Sequence, residues 1–233
     1  MNFAFPPLSP AVRVLLSVLF GSFVAQTVLG AAGVPLFDWL GLHAAWSSAL
    51  AWQWCTYPLV ELPGPGSVVD RALDLMLLYF WLAGFEGRFG ARATLLLAAL
   101  AVTAGAACVL LIAFAVPSIS HSFAGASPIA WAGLAALAVT TRGRPMQWLF
   151  LPQMNAWGLA LVFLLVLSLQ CTWAGTATPL AGALGGFAAG VAYTRWLTRP
   201  RPPAQHGPYR RRPAHLKLVP EPPRPGSDGG WLN

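Results

Sequence analysis

A serine hydroxyl follows a glycine at the start of an apolar segment, in the run Gly125-Ala126-Ser127-Pro128. Glycine lets the backbone turn sharply, and proline suits the first turn of a helix because its missing N–H has no intrahelical acceptor there. Ser127 is therefore expected at a helix N-terminus. A hydroxyl there can serve as a nucleophile if an adjacent base removes its proton. The alternative is that Ser127 only caps the helix by accepting a backbone N–H.

Two carboxylates lie four residues apart in an otherwise apolar segment, at Asp70 and Asp74. This spacing places both side chains on one face of a helix. A carboxylate at the centre of a bilayer costs about 2.5–3.5 kcal/mol, so such residues normally face a cavity or a partner. Two interpretations stay open: a pair at the membrane interface, or the lining of a water-filled polar cavity.

Two further patterns indicate architecture rather than chemistry. Gly182, Gly186 and Gly190 form a ridge of small residues that lets another helix approach closely, and the small residues of the segment that follows Ser127 offer a partner. Glu86 and Arg88 end the segment that contains Asp70 and Asp74. They are expected to bond backbone groups of the following turn and to fix its shape.

The amino-acid composition indicates the class of protein to which these residues belong. Of 233 residues, 57% are hydrophobic and 9% are charged, whereas a soluble domain carries roughly 25% charged residues. One soluble core of this size could not hide so much apolar surface. A water-soluble enzyme, a disordered chain and a secreted disulfide scaffold are therefore excluded, and three scattered cysteines also fit no thiolate metal site. The chain is a polytopic membrane protein.

Runs without charges locate six helices, because a span needs about 20 apolar residues. The first apolar stretch has no preceding basic region and is expected to remain as a membrane helix. Trp39–Val60 is also free of charges, but it is dense in tryptophan and is expected to lie in the membrane interface. The helices are expected at about 12–32, 68–85, 93–116, 126–141, 155–173 and 178–197.

The arginines give an orientation to these six helices. With both termini cytoplasmic, Arg13, Arg88, Arg92, Arg142 and Arg144 all fall on the cytoplasmic side, and the outer segments 34–67, 117–125 and 174–177 contain no Lys or Arg. Residues 198–233 are rich in Pro and Arg and are expected to form a disordered cytoplasmic tail. The net charge of +7 therefore reflects topology and a basic tail, and no nucleic acid is expected as a partner.

Taken in order, these positions resemble the rhomboid family of intramembrane serine proteases. The resemblance covers roughly residues 45–195 and implies a six-helix membrane bundle, residues 1–197, with an interfacial first loop at about 34–67. The matching residues are Trp54 in the Trp-Gln-Trp run before the helix expected at 68–85, and Glu86 and Arg88 after that helix. Gly125 and Ser127 match at the start of the helix expected at 126–141, and Gly185, Gly186 and Gly190 match on the one expected at 178–197.

The departures from the family pattern concern its catalytic residues. The resemblance implies that Ser127 stands at the nucleophile position, but Pro128 replaces a glycine of the motif and Ala183 occupies the position of the general base. The His and Asn that help to form the family's oxyanion hole correspond to Asp70 and Asp74. A base is needed to activate serine, and an oxyanion hole needs donors, which ionised carboxylates do not supply.

The resemblance with its departures implies a rhomboid-like pseudoprotease that binds transmembrane helices of client proteins, with the bilayer as its other partner. One alternative is an active serine-type intramembrane endopeptidase in which His121, Asp70 or Asp74 serves Ser127 as a non-standard base. A third is an ion or proton site at Asp70 and Asp74. No cofactor and no metal are expected. The expected location is a bacterial inner (cell) membrane, with several passes.

Overall fold

The structure is a computed structural model that describes residues 8–43, 51–64, 67–116, 122–141, 145–146 and 153–199. The described part of the chain is mostly helical. Its six long helices are α1 (Pro10–Ala31), α4 (Ser67–Phe89), α5 (Ala91–Ala115), α6 (Ser127–Thr141), α7 (Ala156–Ala174) and α8 (Thr178–Thr198). Each of the six segments expected to be helical coincides with one of them, with ends that differ by four residues at most.

Three of these helices are long and apolar enough to cross a membrane: α1, α5 and α7. The helix α6 is shorter and also apolar. Together they make the chain an integral membrane protein, since helices satisfy their own backbone hydrogen bonds in lipid. Residues 1–198 form one compact unit, whereas the expected tail lies, apart from its first two residues, outside the described residues.

The tryptophan-rich segment between α1 and α4 contains only short elements. In its described part these are α2 (Leu36–Leu40), strand β1 (Leu42–His43), α3 (Gln53–Thr56) and a 3₁₀ turn at Tyr57–Leu59. Residues 44–50 and 65–66 of the segment lie outside the described residues. The Trp39 and Trp52 side chains are exposed, and the Trp52 indole donates to the Trp39 carbonyl over 3.1 Å. Tyr57 is buried, and its hydroxyl donates to the Val102 carbonyl of α5 over 2.9 Å, which anchors the segment to the bundle.

Two short antiparallel ladders connect the loops. Strand β1 (Leu42–His43) pairs with β2 (Ser122–Phe123), and β3 (Pro145–Met146) pairs with β4 (Met154–Asn155). The first ladder ties the tryptophan-rich segment to the residues that precede α6. It therefore fixes the position of the loop that leads into Ser127.

The helix α6 is the centre of the bundle, because ten of its 15 residues are buried and none is exposed. The glycine ridge of α8 allows this packing. A Cβ atom at Gly186 would overlap the backbone of Pro128, and one at Gly190 would lie 2.5 Å from the Ala132 carbonyl oxygen. Gly185 faces the other way, where a Cβ would lie 2.5 Å from the Ala104 carbonyl oxygen of α5. The helix α8 thus fits between α5 and α6 only because these positions lack side chains.

The Glu86 carboxylate does not bond the turn that follows α4, as the sequence predicted, but the start of α1. It accepts a hydrogen bond from the Ser9 hydroxyl over 2.5 Å and from the backbone N–H groups of Ala11 and Val12 over 2.9 and 2.8 Å. These are free donors of the α1 N-terminus, where a negative charge is favourable. Arg88 likewise turns to α6 and donates to the Thr140 carbonyl over 3.5 Å. Both residues join helices rather than shape the turn.

Candidate functional site

Ser127 is the first residue of α6 and is half-buried. The backbone enters the helix through Gly125, whose φ of 105° favours glycine. The Ala126 carbonyl accepts hydrogen bonds from the N–H groups of Ile129 and Ala130, so Ala126 rather than Ser127 stands at the helix cap. The capping alternative for Ser127 therefore does not describe this helix start.

Ala183 of α8 belongs to the same buried apolar cluster as Ala126, the residue directly before Ser127. The contacts of Gly186 with Pro128 and of Gly190 with Ala132 show that α8 runs parallel to α6 in a constant register. Ala183 is fully buried in this cluster, which also contains Ala130. A methyl group occupies this position, and it can accept no proton.

Asp74 also contacts this loop. Its carboxylate accepts a hydrogen bond from the backbone of Ala126, the residue directly before Ser127. The Asp74 side chain is only partly exposed, whereas Asp70, one turn nearer to the start of α4, is exposed. The structure therefore brings Asp74, Ser127 and Ala183 together around one loop, and it leaves Asp70 at the outer rim.

Two residues that the sequence did not single out as site residues complete the site: Glu61 and Arg71. The Arg71 Nε lies 3.1 Å from the Glu61 Oε1, and both side chains are buried. A second Arg71 nitrogen donates to the Pro58 carbonyl over 3.2 Å, and its guanidinium carbon lies 5.9 Å from the centre of the Phe23 ring. Arg71 also acts electrostatically on Asp74, so a single buried cation serves several carboxylates.

The tryptophan-rich segment and α1 hold the Glu61 carboxylate in place. The Gln26 amide donates to the Glu61 carbonyl and accepts from the Glu61 N–H, both over 2.8 Å. A Cβ at Gly125 would lie 3.1 Å from Glu61 Oε2, so the missing side chain at Gly125 lets the carboxylate contact the loop before Ser127. Burial raises the pKa of Glu61 to about 8, while the Arg71 charge acts in the opposite direction.

A signal for this pair was present in the sequence. Glu61 is the only acidic residue between Trp39 and Val69, and Arg71 is the only Lys or Arg between Val14 and Gly87. A lone charge in a membrane protein requires a partner. Sequence spacing could not identify that partner, because the two residues lie on different elements.

The loop before Ser127 is contacted by carboxylate acceptors. His43 is the one histidine that the described ranges contain, and its Nδ1 lies 3.3 Å from the hydroxyl oxygen of Ser122. His121, the other base considered, lies outside the described residues. The groups that surround the Ser127 loop are thus two carboxylates, one buried guanidinium and a methyl group.

The remaining motif residues are structural in this geometry. Trp54 lies on α3 at the protein surface. Gly185, Gly186 and Gly190 hold α8 against its neighbours. None of these side chains or backbone positions supplies a reactive group.

Comparison with known proteins agrees with this arrangement. A search of curated proteins gave no match to the chain. The family model of the rhomboid domain matches residues 48–200, which include the second half of the tryptophan-rich segment, the Ser127 loop and the glycine ridge. Because this match covers more than half of the chain, the protein belongs to the rhomboid family.

Proposed function

We propose that this rhomboid-family protein is a pseudoprotease that keeps the membrane bundle and binds transmembrane helices of client proteins. The observation that carries the proposal is the hydrogen bond from Ala126 to Asp74. Acyl transfer develops negative charge beside the nucleophile, and donors must point at that charge. Here a carboxylate already takes a backbone donor of the Ser127 loop and adds its own negative charge to the site.

The absence of a base at Ala183 is a second, separate reason why the protein should not act as a protease. A general base must lie about 2.6–3.2 Å from the hydroxyl whose proton it takes, or act through one water. The methyl side chain of Ala183 cannot do so. Losing the base lowers the nucleophilicity of Ser127, while the carboxylates disfavour the intermediate, so restoring one property alone does not restore proteolysis.

A client helix has an entry route between α4 and α7 in this proposal. The helix α7 packs mainly on α6, and the ring of Trp81 on α4 meets that of Phe163 on α7 edge-to-face with 5.9 Å between centroids. An aromatic contact of this kind is worth about 0.5–1.5 kcal/mol beyond area burial. Such a contact is weak enough to be replaced by the side chains of a client helix, in the gap through which rhomboids admit their substrates.

The six long helices are proposed to span the membrane, with the N-terminus and the C-terminus of the chain both cytoplasmic. This includes α4 and α8, which are less apolar than α1, α5 and α7. Support comes from the arginines. Glu86 at the end of α4 contacts the start of α1, so Arg13 and Arg88 lie at the same end of the bundle. Arg92 lies there too, because it is in the first turn of α5, directly after α4. Arg195 lies in the last turn of α8, which runs parallel to α6 and therefore ends at that side as well. The opposite end carries Asp38, Glu61, Asp70 and Asp74.

Reactivity of Ser127 tests the proposal. The purified protein should leave a fluorophosphonate probe unreacted at Ser127, under conditions in which an active rhomboid protease is labelled. The combined variant Ala183→His, Asp70→His, Asp74→Asn restores a base and two potential donors and should raise labelling above the parent. Labelling of the parent that disappears in Ser127→Ala would overturn the proposal.

The same experiment addresses the alternative of an active protease, which the position of Asp74 favours as a non-standard base. If Asp74 activates Ser127, labelling of the parent should be lost in Asp74→Asn while the protein still folds. Under the pseudoprotease proposal, neither Asp74→Asn nor the parent is labelled.

Client binding has its own test at the α4–α7 contact. A photoreactive phenylalanine at Phe163 should cross-link to an added transmembrane peptide in reconstituted vesicles. The matched control places the same group at Leu111, an exposed position on α5, where only lipid is expected. Equal cross-linking at both positions would show that the peptide meets the protein at random.

A further inference from the structure

A cleft lies between α4 and α6 at the arginine-bearing end of the bundle, away from Ser127. Its volume is about 630 Å³. One wall carries Trp81, Phe85 and Arg88 of α4, and the other carries Leu137, Thr140 and Thr141 of α6. Neither the rhomboid match nor the proposed function assigns a role to this space.

The lining of the cleft is mixed, with apolar side chains toward Trp81 and polar groups toward Arg88. Trp81 lies seven residues before Arg88, which at 1.5 Å per residue places the two side chains about 10 Å apart along α4. Phe85 and Leu137 line the walls between those levels. A ligand that fills the cleft therefore needs a polar group joined to an apolar chain.

Arg88 supplies an uncompensated cation at the mouth. Its guanidinium is exposed, lies 5.5 Å from the Phe89 ring centre and donates to the Thr140 carbonyl over 3.5 Å. Among the described residues, the ion pair formed by Glu61 and Arg71 is the one such pair, so no described carboxylate neutralises Arg88. The guanidinium has five donors, and most remain available to an anion.

The two threonines at the mouth complement this cation. Their hydroxyl protons are used within α6, where Thr140 donates to Ala136 and Thr141 donates to Leu137. Each hydroxyl oxygen keeps lone pairs that can accept a hydrogen bond. The mouth thus offers a guanidinium for a phosphate and acceptors for hydroxyl groups beside it.

The surrounding charges also favour an anion. Arg13, Arg92 and Arg195 lie at the same end of the bundle, and the Glu86 carboxylate there is consumed by the N-terminus of α1. In the proposed topology this end faces the cytoplasmic leaflet, where anionic lipids are attracted by arginines near the surface.

We propose that this cleft is a binding site for one anionic glycerophospholipid, with its phosphate on Arg88 and an acyl chain between the apolar walls. A free phosphate could use Arg88 but would leave the apolar part of the lining, which includes Gly84, Phe89 and Leu137, unused, so the lipid is the better match. The proposal is independent of whether Ser127 is reactive.

Titration of the purified full chain with phosphatidylglycerol tests the site, since the glycerol hydroxyls of this lipid can donate to Thr140 and Thr141. Lipid adducts are counted by native mass spectrometry in a neutral detergent, against phosphatidylcholine with the same chains. The parent should retain one phosphatidylglycerol preferentially. Arg88→Gln should weaken that binding about five-fold, the change that corresponds to about 1 kcal/mol per arginine near an anionic surface.

The control is Arg92→Gln, which removes an exposed arginine outside the cleft and should leave the preference unchanged. Arg88→Lys should preserve most of it. An equal loss in Arg88→Gln and Arg92→Gln would overturn the site, because it would show attraction by net charge alone.

A second variant tests the apolar part without changing a charge. Gly84 borders the cleft, and a Cβ there would meet no atom within 4 Å. Gly84→Leu should therefore fill the space and abolish the retained lipid while the melting temperature without lipid stays near that of the parent. A Gly84→Leu protein that folds and retains phosphatidylglycerol as before would overturn the proposal. Equal competition by soluble glycerol 3-phosphate would do so as well, because it would indicate a simple phosphate site.

Discussion

At the scale of single residues, charge is concentrated around Arg71. Glu61 contacts this arginine, and Asp74 and Asp70 act on the same group of charges. One guanidinium, which stays protonated at all relevant pH values, cannot balance three carboxylates. Moving a charged group from water into the protein interior costs free energy unless the group is paired there. The protonation of Glu61 therefore affects the stability of the loop before Ser127.

This imbalance predicts a pH dependence of stability. The pKa of Glu61 rises from 4.5 to about 8 on burial, so folding favours its protonated form. The corresponding stabilisation is complete below pH 4.5 and is lost as the pH rises through about 8. The melting temperature of the purified protein should accordingly fall between pH 5 and pH 9, and Glu61→Gln should reduce the slope and melt higher than the parent at pH 9.

Asp38→Asn is the matched control for this measurement, because Asp38 is an exposed carboxylate at the same end of the molecule. It should leave the slope unchanged. A parent protein whose melting temperature rises over this range, or a Glu61→Gln variant with the parental slope, would contradict the assignment to Glu61.

At the scale of elements, two devices hold the bundle together. The glycine ridge of α8 allows contact of backbone with backbone on α5 and α6, and the Glu86 carboxylate joins the start of α1 to the end of α4. Close packing between small residues is a main source of helix association in lipid, where burial of apolar surface contributes little. The position of the Ser127 loop therefore depends on the absence of side chains on α8.

Substitution of Gly186 measures this dependence. A Cβ atom at this position overlaps the Pro128 backbone, which cannot move aside as a flexible side chain could. Gly186→Leu should therefore cost at least about 1–3 kcal/mol, the usual range for overpacking, and should lower the melting temperature in detergent.

The control for this variant is Gly21→Ala in α1, where a Cβ meets nothing within 4 Å. This change removes a flexible residue from a helix and should be neutral or slightly stabilising. If Gly186→Leu melts with the parent, α8 does not pack on α6 as described.

At the scale of the whole molecule, the two ends of the bundle differ in charge. Arginines gather at one end, while Asp38, Glu61, Asp70 and the buried Arg71 lie at the other. The excess of basic residues on cytoplasmic loops sets the orientation of membrane proteins. This asymmetry supports the proposed topology, in which the Ser127 loop lies toward the outer face.

Reporter fusions test that topology. Fusions at Gly64, His121 and Gly175 should all report an outer location, and fusions after Arg144 and Arg199 should report the cytoplasm. A cytoplasmic signal at any of the three outer positions would contradict the six-span arrangement.

The sequence by itself determined where the long helices lie, because charge-free length is a local signal. That Ala183 stands at the position of a base is what the resemblance to the rhomboid family implies. The structure alone decided that Glu86 binds the start of α1, that Arg71 pairs with Glu61 from the preceding segment, and that Asp74 accepts from Ala126. The physical reason is that a buried charge finds its partner in space, and packing between elements distant in the chain decides which partner is near.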